Sequence, residues 1–113
     1  MPPDLDRTLA ALADPNRRAI VELLRGRPLR PSEVADALSL SRPTMSRHLR
    51  VLRIAGLIRQ EASDIDARAR LIRLRKEPFA RLRGWLEEVE ALWSDQLDAF
   101  KAHAERPPLR RGR

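Results

Sequence analysis

The residues best equipped for chemistry are arginines. Arg42, Arg47 and Arg50 recur at helical spacing in a stretch with no acidic residue between Ser39 and Gln60. A guanidinium is a planar fork of donors that matches phosphate oxygens and the O6 and N7 acceptors of guanine. Carboxylates one helical turn away, the usual partners of such a row, are missing, so pairing within the helix does not explain it. A merely solvated helix face is the competing explanation. Other chemistries find little material. With no cysteine there is no disulfide scaffold, no thiolate metal site and no thiol nucleophile. With no tyrosine, and with His48 and His103 far apart, no nucleophile stands paired with a base, so an enzyme is not expected.

The chain of 113 residues is long enough for one small core and too short for two ordinary domains. Lys plus Arg is 23 against 16 Asp plus Glu, and the resulting net charge of +7 favours a polyanionic partner, nucleic acid first. Only Lys76 and Lys101 are lysines. A biased genome composition accounts for arginine usage as readily as function does, so position is more informative than total. Residues 1–38 hold six Arg and six acids, whereas residues 39–75 hold nine Arg and three acids, a net of +6. Residues 77–106 carry four bases against seven acids, and three further Arg lie within 107–113. No apolar run exceeds Leu9 to Ala13, far below the stretch of about 20 that crosses a bilayer, and the opening MPPDLDR lacks signal-peptide character. The expectation is a soluble cytoplasmic protein with no membrane partner, associated with the nucleoid when bound to DNA.

These arginines need a scaffold, and the hydrophobic periodicity supplies one. Leu5, Leu9 and Leu12 predict a short helix from Asp4 to about Ala13. Asp14 as N-cap and Pro15 as first helical residue open a second, which runs through Ile20, Val21, Leu23 and Leu24 and stops at Gly26. Pro31 opens a third, with Val34, Ala35 and Leu38 inward, and Ser39, Leu40 and Ser41 form a short turn. Ser41 caps a fourth helix, Arg42 to Ala55, that buries Met45, Leu49 and Leu52 and ends at Gly56. Two helices joined by so short a turn form a helix-turn-helix. Setting Met45, Leu49 and Leu52 inward turns Pro43, Thr44, Arg47 and Arg50 outward, with Arg42 and Ser46 at the edges. His48 reads as a packing or capping residue; Val51 and Ile54 either support the segment after Gly56 or lie exposed.

After Gly56 the period changes. LIRQEA and RARLIRLR, separated by SDIDA, predict two short strands with Ile72 and Leu74 on one face, a β-hairpin wing. A last helix from Pro78 to Ala104 carries Phe79, Leu82, Leu86, Val89, Trp93, Gln96, Phe100 and His103 at alternating spacings of three and four, with Trp85, Leu92 and Leu97 widening the stripe. At roughly 40 Å it outruns a small core, so part of it must meet a partner. Residues 105–113, ERPPLRRGR, read as a disordered basic tail beyond a domain of residues 1–104.

Leu12–Leu24, LADPNRRAIVELL, and Ser41–Ile58, SRPTMSRHLRVLRIAGLI, resemble the ArsR/SmtB family of bacterial repressors, and with the last helix the resemblance covers about residues 5–104. It implies a winged helix-turn-helix fold of order α-α-α-α-β-β-α, mainly helical, that dimerises through its first and last helices. The implied interface holds Leu5, Leu9, Leu12, Phe79, Leu82, Leu86, Val89, Trp93, Leu97 and Phe100. The implied function is a homodimeric repressor that occludes an inverted-repeat promoter operator of double-stranded DNA, the fourth helix in the major groove. Ser41, Arg42, Pro43, Thr44, Ser46, Arg47 and Arg50 are then the expected DNA contacts. Arg47 suits a bidentate contact to guanine, Arg50 suits phosphate, and Ser41, Thr44 and Ser46 suit donation to phosphate oxygens.

The wing departs from the family pattern: Asp64, Ile65 and Asp66 stand where relatives carry glycine and basic residues. Wing contact is therefore carried over to Arg68 and Arg70 only, with solvated strand residues as the alternative. Ile65 reads as packing on the wing in preference to wedging into a minor groove. The cysteine metal site of some relatives is chemically absent, and the last helix offers only His103 with Asp95 and Asp98, so no metal and no cofactor are expected. Trp85, Trp93 and Phe100 read as core more readily than as an effector pocket, so a small-molecule effector is not indicated. The chain looks most like a metal-free, autoregulatory branch of the family. The rival is a winged-helix module whose basic face docks on an acidic protein.

Overall fold

The computed structural model describes residues 3–105, in the order α1 (Pro3–Leu12), α2 (Pro15–Leu24), α3 (Pro31–Leu38), α4 (Arg42–Ile54), β1 (Ile58–Ala62), β2 (Arg70–Leu74) and α5 (Lys76–Glu105). This is the predicted helical order with its two-stranded hairpin. The predicted tail lies outside the described residues, apart from Glu105, which closes α5. The described residues fall into two compact units that divide between Leu82 and Arg83.

In the first unit, Ile20, Leu24, Val34, Met45, Leu49, Leu52, Leu57 and Ile72 form one buried cluster, with Leu12, Leu38, Leu40, Leu74 and Phe79 packed against it. Asp14 caps α2 as expected: its Oδ1 accepts from the backbone N–H groups of Asn16 at 2.8 Å and Arg17 at 3.1 Å. The C-terminal carbonyls of α1 find partners across this corner. Arg17 Nε donates to Ala11 O at 2.6 Å and Arg18 Nη1 to Leu12 O at 2.8 Å. Two of the arginines are thus helix caps.

The backbone N–H of Arg17 holds the Asp14 carboxyl below the usual carboxylate range, and the Arg30 N–H does the same for Glu33 at the start of α3. A folded-state pKa below the unfolded value stabilises the fold above the unfolded pKa and is lost as pH falls through the folded one. Melting temperature should therefore drop once pH falls below about 4. Asp14→Asn keeps a capping side chain and removes the titration, so thermal melts should show a flatter acid limb. An acid limb identical to the wild type would contradict this.

The α3–α4 turn is tight. Leu40 N donates to Ala35 O at 3.0 Å, which places Ser39 in the left-handed region at φ 53, ψ 41. A side chain is strained there, so Ser39→Gly is expected to stabilise the fold by about 0.5 kcal/mol, net of the looser unfolded chain. Urea titration checks the sign, and a lower midpoint would count against it. At the end of α4, Leu57 N donates to Leu52 O at 2.9 Å and Gly56 takes φ 79, so glycine is required where the sequence puts it. Gly26 follows α2 without left-handed backbone, since Arg25 at the cap remains helical.

β1 and β2 pair antiparallel, with Ile58 opposite Leu74 and Gln60 opposite Ile72. Ile58 and Ile72 are buried, Leu74 packs beside them, and the opposite face carries Arg59 and Arg73 across from each other. Glu61 relieves that like-charge pair, at 2.8 Å from Arg73 and 3.8 Å from Arg59. Leu29 adds a third backbone segment: Ile72 N donates to Leu29 O at 2.7 Å and Leu29 N to Ile72 O at 3.1 Å. This bridge ties the hairpin to the chain just ahead of α3.

α5 begins at Lys76, two residues before the predicted start, because Pro78 falls within the first turn, where its missing N–H would have had no helical partner. One assignment to a partner interface needs correction: Leu5 is 5% exposed and buried within its own chain, whereas Leu12 and Phe79 pack on the core while only half-buried. α1 turns Leu5, Thr8 and Ala11 inward and leaves Leu9 at 37% exposure. Thr8 is buried because its hydroxyl donates to Asp4 O at 3.0 Å. In the second unit α5 is helical to Glu105 and presents Leu86, Val89, Leu92, Trp93, Leu97 and Phe100 as exposed residues. Trp93 and Phe100 are therefore not core residues of this chain.

Candidate nucleic-acid interface

The helix-turn-helix fixes which α4 residues face outward. With Met45, Leu49 and Leu52 buried, Arg42, Pro43, Ser46, Arg47 and Arg50 are exposed, as the helical spacing predicts, and Arg53 extends the row. Among the described residues, Arg25, Arg27, Arg59, Arg73, Arg75 and Arg83 form ion pairs with glutamates. Arg42, Arg47, Arg50, Arg53, Arg68 and Arg70 do not. On α4 none of the four arginines is paired with a carboxylate among the described residues, whereas on the hairpin strands Arg59 and Arg73 are paired and Arg70 is not.

Ser41 is the cap of α4, as the sequence predicts, and Thr44 is tied to it. Ser41 Oγ accepts from Thr44 N at 3.3 Å and donates to Thr44 Oγ1 at 2.9 Å, so the Ser41 proton is engaged in the cap. Thr44 is half-buried and keeps its own hydroxyl proton for a ligand. His48 is half-buried with Nδ1 3.5 Å from Arg17 Nη1, a packing position facing the α1–α2 corner. Val51 and Ile54 are exposed.

Arg68 and Arg70 are exposed at the hairpin and line a cleft of about 720 Å³ together with Arg42 and Ser46 of α4. The same cleft is lined by Arg30, at the start of α3, which the sequence reading did not select. A signal was present: arginine is an unusual residue immediately before a helix-opening proline. Ile65 corrects the sequence reading. It does not pack on the wing but stands 99% exposed at the tip, where Ser63 Oγ accepts from Ile65 N at 3.2 Å and from Asp66 N at 3.4 Å. Asp66 Oδ1 in turn accepts from Arg68 N at 3.0 Å. The tip is braced by polar turns, and its apolar side chain points into solvent.

Comparison with known proteins agrees with this geometry. A helix-turn-helix domain family matches residues 12–61. HTH-type transcriptional regulator Rv2034 of Mycobacterium tuberculosis is 53% identical over 53 residues, 47% of this chain and 50% of that protein. The transcriptional repressor SdpR of Bacillus subtilis is 33% identical over 54 residues, 48% of this chain and 60% of that protein. The chain thus spans only about half of these relatives' length. The crystal structure of an ArsR family transcriptional regulator extends the likeness: 34% identity, a TM-score of 0.71, and coverage of 80% of this chain and 97% of that one. The chain belongs to the ArsR family. ArsR-family membership gives it the winged helix-turn-helix architecture of that family. Within the ArsR fold, α3 and α4 are the helix-turn-helix and β1–β2 the wing. No described helix of this ArsR-family chain is long and apolar enough to cross a membrane.

Proposed function

We propose that the chain is a homodimeric repressor that reads an inverted-repeat operator in double-stranded DNA and blocks transcription by occupancy, without a metal or cofactor. The observation that carries this reading is the set of unpaired arginines on the outer face of α4. Arg47 is the residue assigned to base reading, while Arg42, Arg50, Arg68 and Arg70 are assigned to phosphates. Pro43, Thr44 and Ser46 complete the surface that meets the groove.

Dimerisation is supported by the exposed α5 stripe of Leu86, Val89, Trp93, Leu97 and Phe100, at spacings of three and four. A twofold pairing of such stripes duplicates α4 and matches the symmetry of an inverted repeat. Metal-free action is supported by the lack of cysteine and by a single histidine, His103, on α5. The corresponding place of action is the cytoplasm, at the nucleoid.

Gel shifts with the DNA upstream of its own gene, paired with sedimentation, test this. The expected result is a dimer that shifts that duplex at salt near physiological, releases it steeply as salt rises, and is indifferent to added zinc. A monomer, or a dimer that ignores duplex DNA and binds an acidic protein surface, would overturn the proposal.

A further inference from the structure

We propose that the cleft between the start of α3, α4 and the hairpin seats one strand of the DNA duplex, with Arg30 as a sequence-independent phosphate clamp on its far side. The inference rests on the DNA-binding reading above and adds a residue and a path for the backbone. Around the cleft stand four guanidinium groups, those of Arg30, Arg42, Arg68 and Arg70, none of them paired with a carboxylate among the described residues. Two acids also line it, Asp36 and Asp66, and Asp66 is already engaged by the Arg68 N–H at 3.0 Å. The balance is positive. Leu40 and the outer edges of the core residues Ala35, Met45 and Leu49 form its floor beneath the basic rim.

Arg30 occupies a position that helix stability does not explain. It is the N-cap of α3, where Ser, Thr, Asp and Asn are favoured because their oxygens accept from the first-turn N–H groups. A guanidinium accepts nothing, and its charge sits at the positive end of the helix dipole. Glu33 compensates in part: its Oε1 accepts from Arg30 N at 3.0 Å, and its Oε2 lies 3.5 Å from Arg27 Nη2. The Arg30 guanidinium forms no ion pair with Glu33 and adds only the smallest of the attractions that lower that carboxyl. Meanwhile the Leu29–Ile72 bridge carries Arg30 alongside β2, the strand that begins with Arg70. An anion in the cleft accounts for a cation held there.

The test uses Arg30→Ser in the full chain, measured by fluorescence anisotropy on the upstream duplex and on a scrambled duplex of equal length across a salt series. Serine restores a capping oxygen, so the variant should melt at or above the wild-type temperature. It should nevertheless bind both duplexes about eightfold more weakly at about 0.1 M salt, with the salt slope reduced by about 0.9 and the preference between duplexes unchanged. Arg30→Lys should restore most of the slope. Wild-type affinity and slope in Arg30→Ser, with the wild type binding DNA normally, would overturn the clamp and leave the DNA reading standing. A loss confined to the upstream duplex would also overturn it, because Arg30 would then read bases. Failure of the wild type to bind either duplex would instead be a failure of the DNA reading itself.

Discussion

Arg47→Ala is expected to leave the fold intact and to abolish discrimination at one base pair in each half-site. The side chain is exposed, unpaired among the described residues, and on the outer face of α4, so its removal disturbs no packing. A bidentate arginine–guanine contact is worth about 1–3 kcal/mol against the wrong base, or roughly 5- to 150-fold in relative affinity. Binding to a panel of duplexes with single-base substitutions would show the wild type losing that factor at one position. The variant should bind every member of the panel alike at that position. Its salt slope should change less than that of a phosphate-contact variant, because specificity and counterion release are separable. A variant with wild-type base preference would remove Arg47 from the reading set.

Ile72→Ala is expected to destabilise the fold by about 2–5 kcal/mol, the range for truncating a large buried aliphatic side chain. Ile72 is 0% exposed, and its backbone bonds with Leu29 at 2.7 and 3.1 Å while β1 pairs along its other edge. The loss is a large part of the roughly 5–15 kcal/mol that holds a small domain together. It acts where the hairpin joins the helical body, so Arg68 and Arg70 should lose their fixed place beside α4 before the helices melt. Urea denaturation followed by circular dichroism measures the loss. A cost under about 1 kcal/mol would mean that the hairpin is not anchored through this residue.

Local chemistry was legible in the sequence and long-range pairing was not. Asp14, Ser41 and Gly56 act at helix ends through bonds to residues within a few positions, and each stands where its chemistry predicted. The inward face of α4 followed from spacing alone. In α1 the burial of Thr8 was not legible, because its hydroxyl hides in a bond to Asp4 O that no hydrophobic period announces. The Leu29–Ile72 bridge joins segments far apart in the chain, and no short pattern announces it. Arg17, Arg18 and Arg30 are identical in type to the α4 arginines. Only tertiary placement separates helix caps from cleft lining and from the exposed row.

The site was legible in its centre and not at its margin. Arg42, Arg47 and Arg50 lie exposed as the helical wheel requires, since burial of Met45, Leu49 and Leu52 leaves them no other direction. The hairpin tip obeyed turn chemistry instead of hydrophobicity. Ser63 and Asp66 satisfy the local N–H groups, and the geometry that results leaves Ile65 in water.

The most direct measurement is a hydroxyl-radical footprint of the wild type on the DNA upstream of its gene, repeated with Arg47→Ala and Arg50→Ala. Two protected patches about 34–36 Å apart along the duplex, weakened in both variants, are the predicted result. Protection that is absent at low salt, or a single patch that both variants leave unchanged, would contradict the assignment of α4 to the groove.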